Sequence, residues 1–321
     1  MRAFWTGLLG ATALTMTSLC GAASAAEISP AVVYDVGGKF DKSFNEAAYN
    51  GAEAYKTKTG TAYRDFEVQQ DAQREQALRR FARDGASPIV AIGFSQAASL
   101  ETVAKEFPDT KFAIVDAVVD LPNVRSILFS EEQGSYLVGV LAAMKSQSGK
   151  VGFVGGMDIP LIRNFACGYK GGVKSVKADA AVIENMTGTT GAAWNDPVRG
   201  GELAKSQLDQ GADVVFHAAG GTGIGVDSHQ NGLHPGHVLT SMVKRVDTAV
   251  EKAFEDAAAD KWTSGKQVLG LAEDGVGYAM DDNNASLVTP EMKAAADKAK
   301  ADIIAGTVKV HSYYADNACP Y

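Results

Sequence analysis

The 321-residue sequence is short of the features that mark most catalytic and nucleic-acid-binding chains. It has three cysteines, and none sits in a Cys-x-x-Cys pair or beside a basic cluster, which argues against thiol chemistry. No Gly-x-Ser-x-Gly elbow occurs, so an esterase-type nucleophile has no support. Gly220–Gly225 is glycine-rich, yet it lacks both Gly-Lys-Ser/Thr and the Gly-x-Gly-x-x-Gly order, so nucleotide hydrolysis is not indicated. Basic residues (30) are outnumbered by acidic ones (38). Without a polybasic cluster the chain has no electrostatic footprint for nucleic acid or for an anionic membrane surface. His229, His234 and His237 are loosely spaced in a Gly/Pro-containing loop and do not make a firm metal site, so neither a metal nor a cofactor is expected.

What is present begins at the N-terminus. Met1-Arg2 is a short positive start, Phe4–Leu19 carries no charge, and Ala23-Ser24-Ala25 supplies a small-x-small cleavage pattern. Residues 1–25 are expected to be a signal peptide, cut after Ala25 or one residue later. The apolar run is too short and too rich in small residues for a membrane span, which needs about 20 strongly apolar residues. Cys20 is preceded by Thr17-Ser18-Leu19, a poor lipoprotein signal, so soluble release into the periplasm is expected over lipid anchoring. Loss of Arg2 leaves 29 basic against 38 acidic residues, a net charge of −9. Cys167 and Cys319 then remain, and an oxidising compartment favours one disulfide between them.

The mature length exceeds one ordinary core and suggests two domains. Residues 31–129 read as strand-then-helix units: Ala31–Asp35, a helix opened by a Ser43/Glu46 capping box, Thr61–Val68, a helix over 71–84, Ile89–Ile92, a helix over 95–106, Lys111–Val115 and Val124–Phe129. The pattern restarts with a helix over 131–147, Lys150–Val154, a helix over 162–176, Ala181–Asn185 and a helix capped by Asp196 with Pro197 at its first position. Val214–His217, a helix over 241–259, the segment 268–280 and a helix opened by Thr289-Pro290 finish the chain. Such alternation implies parallel sheets covered on both faces. We expect an α/β architecture with lobe 1 from residues 26–129 plus about 240–267, and lobe 2 from 130–239 plus about 268–321. One connection does not fit. Val214–His217 runs through a glycine-rich turn directly into Ile224–Asp227, and adjacent parallel strands need a crossover of about a dozen residues or more. Either Ile224–Asp227 is not a neighbour of Val214–His217, or this lobe lacks a helix.

Asp35-Val36-Gly37-Gly38-x-x-Asp41-Lys42-Ser43-Phe44-Asn45 closely resembles the opening motif of the basic membrane protein family, the purine-nucleoside-binding receptors of ABC transporters. Similar stretches follow in order: Gly152–Gly156, Trp194-Asn195-Asp196-Pro197, Ala219–Gly223, Gly225–Ser228 with Gln230, and Leu239–Met242 with Lys244-Arg245. The resemblance implies the type I periplasmic-binding-protein fold, two doubly wound parallel-sheet lobes joined by hinge crossovers. It also implies a monomeric receptor with permease and ATPase partners. Phe44 resembles the family's stacking ring, with Trp194 or Phe216 as the second; a purine binds well between aromatic faces. Asp227 and Lys244 take the ribose by resemblance. Asp35 and Asp116 follow strands, where open α/β sheets bind ligands, and Asn45 lies beside Phe44. Gly220 and Gly221 would let backbone approach the ligand. Relatives place some 15–20 further residues between the Gly-Gly-Thr-Gly turn and Gly-Val-Asp, and His229 stands where they have Asp or Asn.

Each residue has a plainer reading. Phe44 lies on an apolar helical face and could be core. Asp35 and Asp116 could be turn or cap residues, and Lys244 a solvated charge. Two other functions share these features, a nucleoside-processing enzyme and a receptor presenting ligand to a membrane sensor.

Overall fold

The computed structural model describes Met1 and residues 28–223 and 225–321. The expected signal peptide and Cys20 lie outside the described residues. No described helix is long and apolar enough to cross a membrane.

In chain order the first elements are β1 (Ala31–Tyr34), α1 (Phe44–Thr59), β2 (Arg64–Glu67), α2 (Ala72–Arg83), β3 (Ile89–Ile92), α3 (Ala97–Glu106), β4 (Phe112–Val115) and β5 (Val124–Phe129). The restart comprises α4 (Glu131–Lys145), β6 (Lys150–Met157), α5 (Pro160–Val176), β7 (Ala181–Gly188), α6 (Pro197–Asp209) and β8 (Val214–Ala218). Then come β9 (Val226–Asp227), β10 (Met242–Lys244), α7 (Val246–Ala258), β11 (Gly265–Leu269), β12 (Val276–Tyr278) and α8 (Pro290–Ile304).

β11-β5-β4-β3-β1-β2 form one six-stranded sheet, parallel throughout. β1, β3 and β4 are apolar at every position because both faces are covered. Alternate residues serve two cores: Val32, Val90 and Val115 face the cluster holding α1 and α7, whereas Val33, Ala91 and Ile114 face that of α2 and α3. β11 ends at Leu269, so the first sheet takes chain slightly beyond residue 267, whereas Met242–Lys244, expected in lobe 1, is a strand paired with second-half strands and not with this sheet.

Two local expectations need correction. The 241–259 segment is not one helix: Met242–Lys244 is a buried strand, and α7 opens only at Val246 after a non-helical Arg245. The capping box is also absent. Asp41 supplies the cap instead, its carboxylate accepting from the Ser43, Asn45 and Glu46 N–H groups. An ionised carboxylate is a stronger acceptor than a hydroxyl, and its use here frees the Ser43 hydroxyl for another partner. Asp196 and Thr289 cap α6 and α8 as expected, each followed by Pro.

The second half also contributes six strands, but in two pieces. β7-β6-β8 form a parallel sheet, and β9-β10-β12 a separate one in which β12 runs antiparallel. The break falls between β8 and β9, where only a short 3₁₀ turn (Gly220–Thr222) intervenes among the described residues. Both readings of the short connection therefore hold: no helix lies there, and β9 does not pair with β8. About 610 Å³ of water-reachable space separates Val214–His217 from Gly225 and Val238–Thr240, with Val138 and Ala142 of α4 also lining it.

The disulfide Cys167–Cys319 forms, with Cα atoms 5.5 Å apart, and fastens the C-terminal strap to α5.

Candidate functional site

A second cavity, with about 80 Å³ of water-reachable space, lies where the two halves meet. One wall is built at the carboxyl ends of β1, β3 and β4, by Asp35, Gly93-Phe94 and Asp116. These are the positions at which open α/β sheets take ligands. The facing wall comes from the start of α5 (Leu161, Ile162, Phe165), from Trp194 and from Gly220 beyond β8. It is smaller than the gap at the sheet break, and several ionisable groups and aromatic rings converge on it.

Asp35 is fixed on every side. Its carboxylate accepts from Arg74 Nη2 at 3.0 Å, from the Ser95 hydroxyl and from the Val36 N–H, while its backbone exchanges bonds with the Asn45 amide. Gly93, at φ 105°, makes room, since a Cβ there would lie 2.7 Å from the Asp35 carboxylate.

Lys244 is the charge hub. Its ammonium lies 2.6 Å from Asp116 Oδ2 and 3.4 Å from Glu131 Oε1, and all three side chains are at most 5% exposed. The rings of Phe44, Phe129 and Phe165 surround it at 5.1–5.7 Å. Burial alone would lower the ammonium's pKa, but the Asp116, Glu131 and Asp227 carboxylates outweigh it and keep the charge on. Asp227 is buried and accepts from the freed Ser43 hydroxyl at 2.6 Å. Burial, opposed by Lys244, raises its pKa to about 6, and Glu131 is raised for the same reason. Asp116 and Asp227 both hold left-handed backbone, at φ 66° and 64°. That conformation is uncommon outside glycine and occurs here twice around one cavity. Asp116 Oδ1 is buried without a hydrogen-bond partner.

Aromatic surface flanks these charges. Phe44 and Trp194 both line the cavity, and Phe94 meets Trp194 edge-on at 6.5 Å. Trp194 lies against the backbone of Gly156, where a Cβ would fall 2.3 Å from the ring.

The structure thus brings eight of the expected residues to one cavity: Asp35, Phe44, Asn45, Asp116, Trp194, Gly220, Asp227 and Lys244. Two lie elsewhere. Phe216 is 4% exposed in the interior of the second half, 5.6 Å from Phe153 and 5.2 Å from Tyr169, so of the two candidate second rings only Trp194 faces the cavity. Gly221 does not line it; a Cβ there would lie 3.5 Å from the Asp41 and Trp194 carbonyl oxygens. His229, His234 and His237 lie in the loop between β9 and β10, all three exposed. Sequence reasoning missed Phe94, Phe165 and the Leu161–Ile162 pair. Phe94 was findable, because it lies two residues past β3, at the same sheet edge at which Asp35 follows β1. Phe165 carries no such signal, being one apolar residue among many on α5.

A family model described as "ABC transporter substrate-binding protein PnrA-like" matches residues 28–312. The ABC transporter nucleoside-binding protein BmpA of Lactococcus lactis is 31% identical over 89% of this chain and 90% of its own length. An uncharacterized lipoprotein of Pyrococcus furiosus is 32% identical over 78% of this chain and 70% of its own. Among solved structures, a solute-binding protein of an ABC transporter system from Aeropyrum pernix superposes with a TM-score of 0.79 at 28% identity, covering 89% of this chain and 94% of that one. The word lipoprotein in a relative's name withdraws support from the expectation of soluble release over anchoring.

Proposed function

The chain belongs to the PnrA-like family of ABC transporter substrate-binding proteins, and from that premise we propose that it captures a purine nucleoside between its lobes and delivers it to an ABC permease outside the cytoplasm. The observation that carries the reading is Asp116 Oδ1, a buried acceptor with no partner in a cavity flanked by Phe44 and Trp194. An unpaired buried carboxylate oxygen is costly, and a ligand hydroxyl or N–H removes that cost. The flat base fits between the rings, while Asp116, Asp227 and Lys244 face the sugar. Ligand contacts with both halves favour closure over the open cleft.

The test is calorimetry of the mature protein with adenosine, guanosine, inosine and xanthosine. Absence of both heat and thermal shift with all four would defeat the nucleoside assignment. Chromatography after incubation should return the nucleoside intact, whereas free base would indicate an enzyme.

A pH dependence follows from Asp227. If sugar hydroxyls donate to its carboxylate, affinity should fall as pH drops through about 6. Ligand-free stability should move the other way. A raised folded pKa favours the protonated folded state, so this group's contribution is full below its unfolded pKa near 4 and is lost as pH rises through about 6. Calorimetry and urea titrations between pH 4 and 8 should show opposite slopes; parallel slopes would remove Asp227 from ligand contact.

A further inference from the structure

The C-terminal strap reaches the cavity through one side chain. Asn164 of α5 is fully buried; its helical neighbours Leu161, Ile162 and Phe165 line the cavity and it does not. Its amide nitrogen donates to two carboxylates of α4, Glu132 at 2.7 Å and Glu131 at 3.3 Å. Its amide oxygen accepts from the Tyr313 N–H at 2.8 Å and the Ser312 hydroxyl at 3.2 Å, both on the strap. The strap is held in turn by Cys167–Cys319 and by Tyr321, whose ring packs on Gly171 and whose hydroxyl accepts from the His311 N–H. These contacts fix which way the Asn164 amide points. A flipped amide would set its oxygen against the two carboxylates and its nitrogen against the strap N–H.

Glu131 competes with Asp116 for the Lys244 ammonium. We infer that Asn164, oriented by the disulfide-fastened strap, is a positioning residue of the ligand site that fixes how Glu131 shares Lys244 with Asp116. The inference rests on the nucleoside reading of the cavity only where binding is the readout. With the amide in place, Glu131 and Glu132 are held by one neutral donor and Lys244 stays turned to Asp116 at the cavity wall. With a carboxylate in place of the amide, three acids crowd the start of α4 and draw Lys244 away from Asp116. The charged groups involved are Glu131 and Glu132 on α4, Asp116 after β4, Asp227 of β9 and Lys244 of β10. Tyr314 on the strap feels the same acids.

The decisive variant is Asn164→Asp, which keeps the oxygen that the strap bonds and exchanges the donor for an acid. Inosine affinity is measured by calorimetry at pH 8 and pH 6 on full mature protein, with thiol titration to verify the disulfide. We expect affinity about tenfold below wild type at pH 8 and within about threefold at pH 6, where the introduced carboxyl takes up a proton and donates again. A loss equal at both pH values, or no loss, overturns the inference, since a purely structural role would not respond to protons. If Asn164→Asp does not fold, the Cys167→Ala/Cys319→Ala pair carries the test. Freeing the strap should then weaken binding more at pH 8 than at pH 6, and an equal effect overturns the inference. If wild type binds no nucleoside, the functional reading fails by itself. Carbon-13 carboxyl titration of the ligand-free protein then decides: displaced Glu131 and Glu132 midpoints in Asn164→Asp support the positioning role, and superimposable curves refute it.

Discussion

Methionine in place of Lys244 is expected to destabilise the ligand-free protein by about 3–5 kcal/mol at pH 8 and to abolish nucleoside binding. Methionine retains most of the side-chain stem, so the packing among Phe44, Phe129 and Phe165 is largely kept. What is lost is the ammonium beside Asp116 and Glu131, both nearly solvent-free. Removing one member of a buried ion pair leaves the others uncompensated in a medium that solvates charge poorly. Those acids can escape by taking up protons, so the penalty should shrink as pH falls. Urea unfolding at pH 8 and pH 5 reads this directly. Adding Glu131→Gln to Lys244→Met should recover part of the loss at pH 8. A pH-independent penalty of about 1 kcal/mol or less would mean that Lys244 acts through packing alone.

The second large effect concerns the ring pair. Trp194→Ala should weaken nucleoside binding by about 2–3 kcal/mol, roughly 30–150-fold, because a stacked base loses one face of its sandwich. Gly156→Ala should do nearly as much without touching the ligand, since its new Cβ would lie 2.3 Å from the Trp194 ring and push it into the space the base takes. The two are linked in a specific way. In a Trp194→Ala background the added methyl meets no indole, so Gly156→Ala should become almost silent. A double-mutant cycle on affinity therefore predicts strong non-additivity. Additive losses would show that Gly156 matters for the β6 strand and not for the ring. Phe44→Ala should also weaken binding, but with a stability cost, because that ring packs against Lys244.

How much of this could be read beforehand follows from what each element displays in sequence. Parallel strands buried on both faces are apolar runs, so Ile89–Ile92 was legible to the residue. Val124–Phe129 was also placed to the residue, although Arg125 and Ser126 interrupt its apolar character. Asp196-Pro197 and Thr289-Pro290 announce helices because the cap and the fixed proline φ act locally. β10 was not legible: a three-residue strand has no period of its own and merges into the helix that follows. Ser43-x-x-Glu46 matched a capping box, but that pattern does not register a carboxylate two residues upstream. Phe216 was misplaced because proximity to a motif was weighed above depth in the strand: Phe216 packs on Phe153 and Tyr169 inside β8, whereas Ala218 at the strand's carboxyl end and Gly220 beyond it line the cavity. The charge hub was only partly visible. Asp116, Asp227 and Lys244 followed from resemblance and strand ends, whereas Glu131 and Asn164 lie on helices, where nothing in sequence says that they turn inward.

The divided sheet of the second half has a mechanical consequence. In the six-stranded sheet each strand is bonded to the next, so main-chain hydrogen bonds carry load across its width. Across the β8–β9 break no such rungs exist among the described residues, and α4 packing bridges the two pieces instead. Side-chain packing resists shear less stiffly than a ladder does, and amides along an open strand edge trade with solvent deuterons more readily. The half that supplies Trp194 is therefore the more compliant jaw, able to give against a bulkier ligand while the opposing jaw keeps its shape.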